Sequence, residues 1–347
     1  MKKHQLILGL AVLAAFAVLA VYGQHRYPFH WQAFLEEFQQ ASWGRIAFAL
    51  CLIYFCYTLR SIRWALLLRH IKKVGPLSLL GTQVIGFTGV ALLGRIADPV
   101  RPYLVARKTG LPLSNQVAVY IVERLLDAGT MALLFFSVIL LAPKGALPHP
   151  EIFKMVARKG LIAIVAGGIF LLSVRMAGER VAWYAERLLG RVSVKLGLAV
   201  SNKIRAFQTG LDTMRSFSDF AAVSMLSLLM WGLIVLAYME IIQAFAPDLT
   251  LAKCMLLMAW GMAASALQLP VVGWFTQIGF VAAALSGFFG VAAEPATACA
   301  ATLLVVSFLG IVPVGLIWAR FEHVSLRKVA KESERAEEAM TAEEPGR

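Results

Sequence analysis

Predominantly apolar stretches long enough to cross a bilayer recur from one end of this chain to the other, and they restrict it to folds whose second solvent is lipid. They fall at 5–22, 44–60, 117–141, 160–175, 219–245, 251–269, 274–290 and 297–319, with a shorter one at 77–93. A helix needs roughly 17 to 25 such residues to span a ~30 Å hydrocarbon core. Only helices and closed barrels satisfy their own backbone hydrogen bonds there, and uninterrupted runs of this length read as helices rather than alternating strands. Composition agrees: 59% of the 347 residues are hydrophobic and 15% charged, too few polar residues to coat a soluble domain of that size. The sequence therefore predicts an all-α, polytopic integral membrane helix bundle of about 7–9 membrane segments, one or two of them re-entrant or broken.

The residues that usually announce enzymatic chemistry are not arranged for it. Cys51, Cys56, Cys254 and Cys299 all sit in apolar stretches without CxxC spacing, as small core residues do. The six histidines stand at ends or in loops with no HExxH pair, and no Walker lysine loop, dinucleotide glycine fingerprint or GxSxG elbow occurs. The expectation is no catalytic residue, no metal, no cofactor and no enzyme.

Net charge is +13, and its distribution argues topology, because short cytoplasmic loops collect Lys and Arg. Lys2 and Lys3 precede an apolar run without a clean small-x-small cleavage site, which reads as an uncleaved first helix with its N-terminus inside. In 23–43, Trp31, Phe34, Leu35 and Phe38 form one apolar stripe beside Glu36 and Glu37, the pattern of an interfacial helix. Arg60, Arg63, Arg69, Lys72 and Lys73 then read as an inside loop, and Arg95, Arg101, Arg107 and Lys108 against Asp98 as another.

If 77–93 dips in and returns, both basic loops and the basic stretch 175–215 share one side. Gly81, Gly86, Gly89 and Gly94 fit a broken element, or close helix packing. A similar interruption falls at Gln268, Pro270, Gly273 and Gln277, and paired interruptions point to a midplane site. The stretch 175–215 reads as a basic amphipathic segment on the cytoplasmic face, and nothing in it suits nucleic acid. Residues 1–325 form the membrane domain, and 326–347 a charged, disordered cytoplasmic tail.

Two places hold ionisable residues in or beside apolar runs, where burial costs ~2.5–3.5 kcal/mol each and demands a partner or a polar cavity. The main one is GRIADPVRPYLVARKTGLPLS, from Gly94 to Ser114, leading into VERLLD from Val122 to Asp127. Asp98 is three residues from both Arg95 and Arg101, and Glu123, Arg124 and Asp127 are neighbours on one helix. In one reading Arg95 and Arg101 hold an anionic phosphate through their forks, oriented by Glu123, Arg124 and Asp127. In the other these are ion pairs that lock the re-entrant element and touch no substrate. Glu240 is the second place, a proton-coupling acid or an ordinary residue near the outer interface.

The segment Gly94–Ser114 followed by VERLLD resembles the first signature of the flippase-like transmembrane domain of lysylphosphatidylglycerol synthases. Gly94, Arg95, Asp98, Val100, Arg101, Tyr103, Glu123, Arg124 and Asp127 fill its places. The likeness extends over most of the chain, to a final block from Leu267 to Arg320. There family members carry an SPGGIG.FE-like motif, whereas this chain has ValValGlyTrpPheThrGln at 271–277, with neutral Gln277 near the acidic position. Gln277 is thus either a substrate-side residue that has lost the carboxylate or an interhelical hydrogen-bonding group.

The resemblance implies a stand-alone translocase-like module without the synthase domain. It would be a flippase-like protein of the bacterial inner membrane that translocates or binds an anionic, polyprenyl-linked or glycosylated lipid. The alternative is a non-transporting scaffold for a lipid- or glycan-synthesis enzyme. The partners expected are membrane lipids and such an enzyme, with no nucleic acid.

Overall fold

The computed structural model describes residues 30–143, 145–147, 150–191, 217–265 and 272–325, together with 193, 194, 197, 198, 200, 201, 329 and 332. The stretch at 5–22 lies outside them. Every regular element described is helical, and the chain is a polytopic membrane bundle.

A short amphipathic helix, α1 (Trp31–Gln40), leads into α2 (Trp43–Leu68), which continues eight residues past the apolar stretch that foretold it. Then come α3 (Pro76–Leu93), a 3-10 turn (Gly94–Ala97) and α4 (Val100–Thr109). After them run α5 (Leu113–Leu141), α6 (Pro150–Gly190) and α7 (Phe217–Phe245). The last part holds α8 (Leu251–Ser265), α9 (Val272–Phe289), α10 (Ala293–Leu304), a π turn (Val305–Leu309) and α11 (Ile311–Phe321). Length and hydropathy suffice for crossing in α2, α3, α5, α7 and the α10–α11 rod, whereas α8 and α9 are apolar but shorter.

The segment 77–93 does not itself turn back: it is one unbroken helix, long and apolar enough to cross, and the return is made by α4. Helix α3 runs unbroken through Gly81, Gly86 and Gly89; those glycines serve close packing. A methyl at Gly86 would run into the Arg101 side chain, and Gly89 lies against Ala97 and Val100, so α4 doubles back along α3. The reversal uses Gly94 at φ 75°, a backbone that only glycine adopts without strain. At the open end of this hairpin the Lys72 ammonium donates to the Thr109 carbonyl at 2.6 Å, closing one end of α3 onto the far end of α4. Arg101 is therefore not in a basic loop: it sits on the returning arm, 1% exposed.

Helices α8 and α9 form a second hairpin. The Trp260 indole donates to the Phe280 carbonyl at 3.0 Å, Gly261 abuts Val281, and the Lys253 ammonium lies 5.6 Å over the Phe289 ring. The stretches at 251–269 and 274–290 are thus two arms of one element. The break at Gln268 and Pro270 lies outside the described residues.

The two hairpins are rooted on opposite faces. Near the root of the first, Arg69 and His70 at the end of α2 hold Asp219 at the start of α7, and Lys108 pairs with Glu322 at 2.7 Å; this is the basic face. Near the root of the second, the Phe38 and Phe245 rings meet at 5.9 Å, Arg45 pairs with Glu240 at 2.9 Å, and His30 reaches Glu294 at 3.1 Å. Glu240 is accordingly held in an ion pair near that end of α7.

The part of 175–215 up to Gly190 is not a separate surface element but the end of α6, a continuous helix of 41 residues, about 62 Å at 1.5 Å per residue. Its Gly160 fits against the Phe136 ring. Near its end Trp183 and Tyr184 are exposed, in edge contact at 4.9 Å with Arg187 over the indole, a combination suited to a headgroup interface. Most of 191–216 lies outside the described residues. Of the tail after 325, Val329 is 2% exposed and packs with Val100 and Leu104, while Tyr103 donates its hydroxyl to Glu332 at 3.0 Å.

A hairpin makes a prediction that a single crossing does not. In a background without cysteine, Lys73→Cys and Lys108→Cys should react with a membrane-impermeant maleimide from the same face. Ser42→Cys and Thr250→Cys, also exposed, should react from the other. Labelling of Lys108→Cys together with Ser42→Cys would mean that 76–109 crosses once.

Candidate functional site

Four helices meet at one buried place, and three of them bring charged groups to it. Arg60 and Arg63, one turn apart on α2, face Glu123 and Asp127, one turn apart on α5. Arg101 arrives from α4, and α7 adds Ser227 and Trp231. Arg63, Arg101, Glu123 and Asp127 are all buried. Unpaired, each would cost several kcal/mol to hold there.

Glu123 is the hub. Arg101 Nη2 donates to both of its carboxylate oxygens, at 2.9 and 3.1 Å. Arg63 Nη2 stands 2.8 Å from Oε1, too far off the N–H direction to be a hydrogen bond. Arg60 and Arg124 approach at 3.6 and 3.5 Å. Asp127 receives Arg63 Nη1 at 2.6 Å and the Trp231 indole at 3.0 Å, with Arg60 Nη1 at 3.4 Å.

The Arg101 guanidinium is held on three sides. Its Nε and Nη2 donate to the Gln83 side-chain oxygen at 3.1 and 2.7 Å. The Phe87 ring lies 4.3 Å from its central carbon, and Trp64 and Tyr120 lie at 5.1 and 5.6 Å. Trp64 is fixed in turn by donating to Gln116 at 3.0 Å. Aromatic faces stabilise a desolvated guanidinium without neutralising it.

The balance of the site is positive. Arg60, Arg63, Arg101 and Arg124 contribute four positive charges, and Asp98, Glu123 and Asp127 three negative ones, leaving +1. Several buried donors also lack an acceptor: Arg101 Nη1, Arg63 Nε, Gln83 Nε2 and Gln116 Nε2. Such groups are rare in a folded interior and each calls for an explanation. Together they are what an absent anion with several oxygens would satisfy.

Of the residues singled out by sequence, Arg101, Glu123, Arg124 and Asp127 do meet here. Arg124 is peripheral, its side chain 42% exposed and 3.6 Å from Asp127. Asp98 accepts from the Tyr120 hydroxyl, while the described partners of Arg101 are Gln83 and Glu123. Arg95 lies in the 3-10 turn, and its side chain is outside the described residues. Gln277 is half-buried on α9, in the other hairpin, and none of the pairings above involves it.

Sequence reasoning assigned Arg60 and Arg63 to a basic loop and missed Gln83, Trp64 and Gln116. The signal was present for the arginines, because TrpAlaLeuLeuLeu at 64–68 continues the apolar run and keeps both inside the helix. For Gln83, Trp64 and Gln116 there was no signal beyond polarity within apolar runs.

Oppositely rooted hairpins and a buried, arginine-rich cluster beside one of them define a class: polytopic helical membrane proteins with charged groups buried inside the bundle. The family model for the lysylphosphatidylglycerol synthase TM region matches residues 6–315, and the chain belongs to that family. No curated protein and no solved structure matches it.

Removing one partner of a buried pair strands the other, at a cost of ~3–5 kcal/mol. Glu123→Gln, which leaves four arginines with one fewer acid, should lower the melting temperature in detergent sharply. Arg124→Gln, at a half-exposed position, should change stability by about 1 kcal/mol or less. Equal melting of Glu123→Gln and wild type would remove Glu123 from its place as hub.

Proposed function

We propose that this protein is a flippase-like carrier that takes the phosphate-bearing headgroup of an anionic, polyprenyl-linked or glycosylated lipid at Arg101 and moves it between leaflets of the bacterial inner membrane. The observation that carries the reading is the set of unused buried N–H donors around Arg101, its own Nη1 and the Gln83 and Gln116 amides. A guanidinium fork matches phosphate oxygens as no other side chain does. A non-transporting scaffold would have no use for it.

The arrangement also supplies a way to accept and release the ligand. Glu123 has Arg63, Arg60 and Arg124 within 3.6 Å besides Arg101. When a phosphate takes Arg101, Glu123 therefore keeps its counter-charge, and the exchange leaves no carboxylate stranded. Phe87, Trp64 and Tyr120 hold the guanidinium in place while partners change. Hairpins rooted on opposite faces suit alternating exposure of such a site, since paired interrupted elements in other transporters frame a midplane site. The basic face, with Arg69, Lys72, Lys73 and Lys108, is the cytoplasmic one in this reading.

Arg101→Lys keeps the charge and removes the fork. Purified protein in liposomes made from a native lipid extract should accelerate exchange of fluorescent anionic phospholipid between leaflets. Arg101→Lys should slow it by about tenfold or more, equivalent to losing roughly 1.4 kcal/mol. If the wild-type protein accelerates no lipid yet captures a lipid- or glycan-synthesis enzyme from membranes, the scaffold reading replaces the carrier. If Arg101→Lys transports at the wild-type rate, Arg101 is not the phosphate ligand.

A further inference from the structure

Toward the basic-face end of α2, on a surface that includes none of the cluster residues, an open groove of about 480 Å³ lies between that helix and the segment leading into α3. This lies within the range of roughly 300–1,000 Å³ typical of small-molecule sites. Its walls are apolar, with Ile62 and Leu66 on α2 facing Val74. Its charged lining residues are Arg69 and Lys73. Both are exposed, even though Arg69 also holds Asp219. Ile71 and Leu77, 42% and 73% exposed, stand beside the groove.

Hydrocarbon walls alone would accept any acyl chain. Lys73, with Arg69 whose charge Asp219 already offsets in part, adds a preference for a negatively charged one, through an attraction of about 1 kcal/mol per Lys or Arg near an anionic surface. Free phosphate would gain nothing from Ile62, Leu66 and Val74, and a zwitterionic lipid would bring the groove no net negative charge.

We infer that this groove is a second lipid site, which holds an anionic glycerophospholipid of the leaflet at the basic face. Its phosphate lies at Arg69 and Lys73, and the upper part of one acyl chain lies against Ile62, Leu66 and Val74. The inference deepens the carrier reading and rests on it for its role: the groove gathers lipid on one face, and Arg101 serves the crossing. No residue is shared by the two sites, so each can fail alone.

The test is native mass spectrometry of the full chain in detergent, titrated separately with phosphatidylglycerol and phosphatidylcholine. Wild type should retain phosphatidylglycerol in preference. Lys73→Glu, which reverses the charge at the rim, should weaken its retention about tenfold or more. Leu66→Trp, which fills the groove without changing charge, should weaken retention of the same lipid. Lys159→Glu, an exposed control on α6, should bind as wild type does. Equal retention of the two lipids by wild type, or unchanged phosphatidylglycerol binding in both Lys73→Glu and Leu66→Trp, would overturn the groove site. In an Arg101→Lys background, Lys73→Glu should weaken phosphatidylglycerol retention further, which separates the groove from the Arg101 site. No further loss in the double variant would overturn their independence.

Discussion

The bundle depends on one carboxylate. Glu123, 1% exposed, lies within 3.6 Å of arginines that come from α2, α4 and its own helix. In a medium that cannot solvate charge, this shared acid makes it tolerable to bury Arg63 and Arg101, and their burial in turn pins three helices at one depth. Asp127 repeats the device one turn along α5, and through Trp231 it ties in α7. Apolar packing alone would not fix that register, because lipid competes with helix for the same hydrocarbon contacts and association relies on close fit and polar links.

Close fit is supplied by small residues where the hairpin needs it. Gly86 lets the Arg101 stem lie against α3, and Gly89 lets Ala97 do so. Gly81 faces Trp318, and Gly315 of α11 faces Thr88, so α3 is clasped by α4 and α11. A side chain at any of Gly81, Gly86 or Gly315 would have to displace a neighbour. The site thus depends on positions that carry no charge: Arg101 can reach Gln83 and Glu123 only because α4 lies so near α3.

The unused donors around Arg101 are what favour a binding site over a simple internal clamp in the carrier reading. Structural ion pairs tend toward full mutual satisfaction, whereas here one edge of the Arg101 fork and two glutamine amides are left without acceptors. Because Glu123 has alternative arginine partners, Arg101 can change its partner without exposing an unpaired acid. Aromatic faces around the guanidinium stabilise its charge without taking its N–H groups.

The sequence by itself determined the solvent of this protein and hence its class. Apolar runs of bilayer length admit only helices, and Lys and Arg clustered at one set of their ends mark a basic face. It also located half of the cluster, since Arg101, Glu123 and Asp127 stand out as charges in or beside apolar surroundings. Only the tertiary structure decided which charge meets which. Local spacing paired Asp98 with Arg95 and Arg101, yet the strongest partners of Arg101 are 18 and 22 residues away, brought close by the turn at Gly94. Nor does hydropathy distinguish two crossing helices from the two arms of a hairpin, because both hide the same apolar area. The pairings at Lys72 and Thr109, and at Trp260 and Phe280, show which helices lie side by side. They are set by how helices pack against one another, which no single stretch of sequence contains.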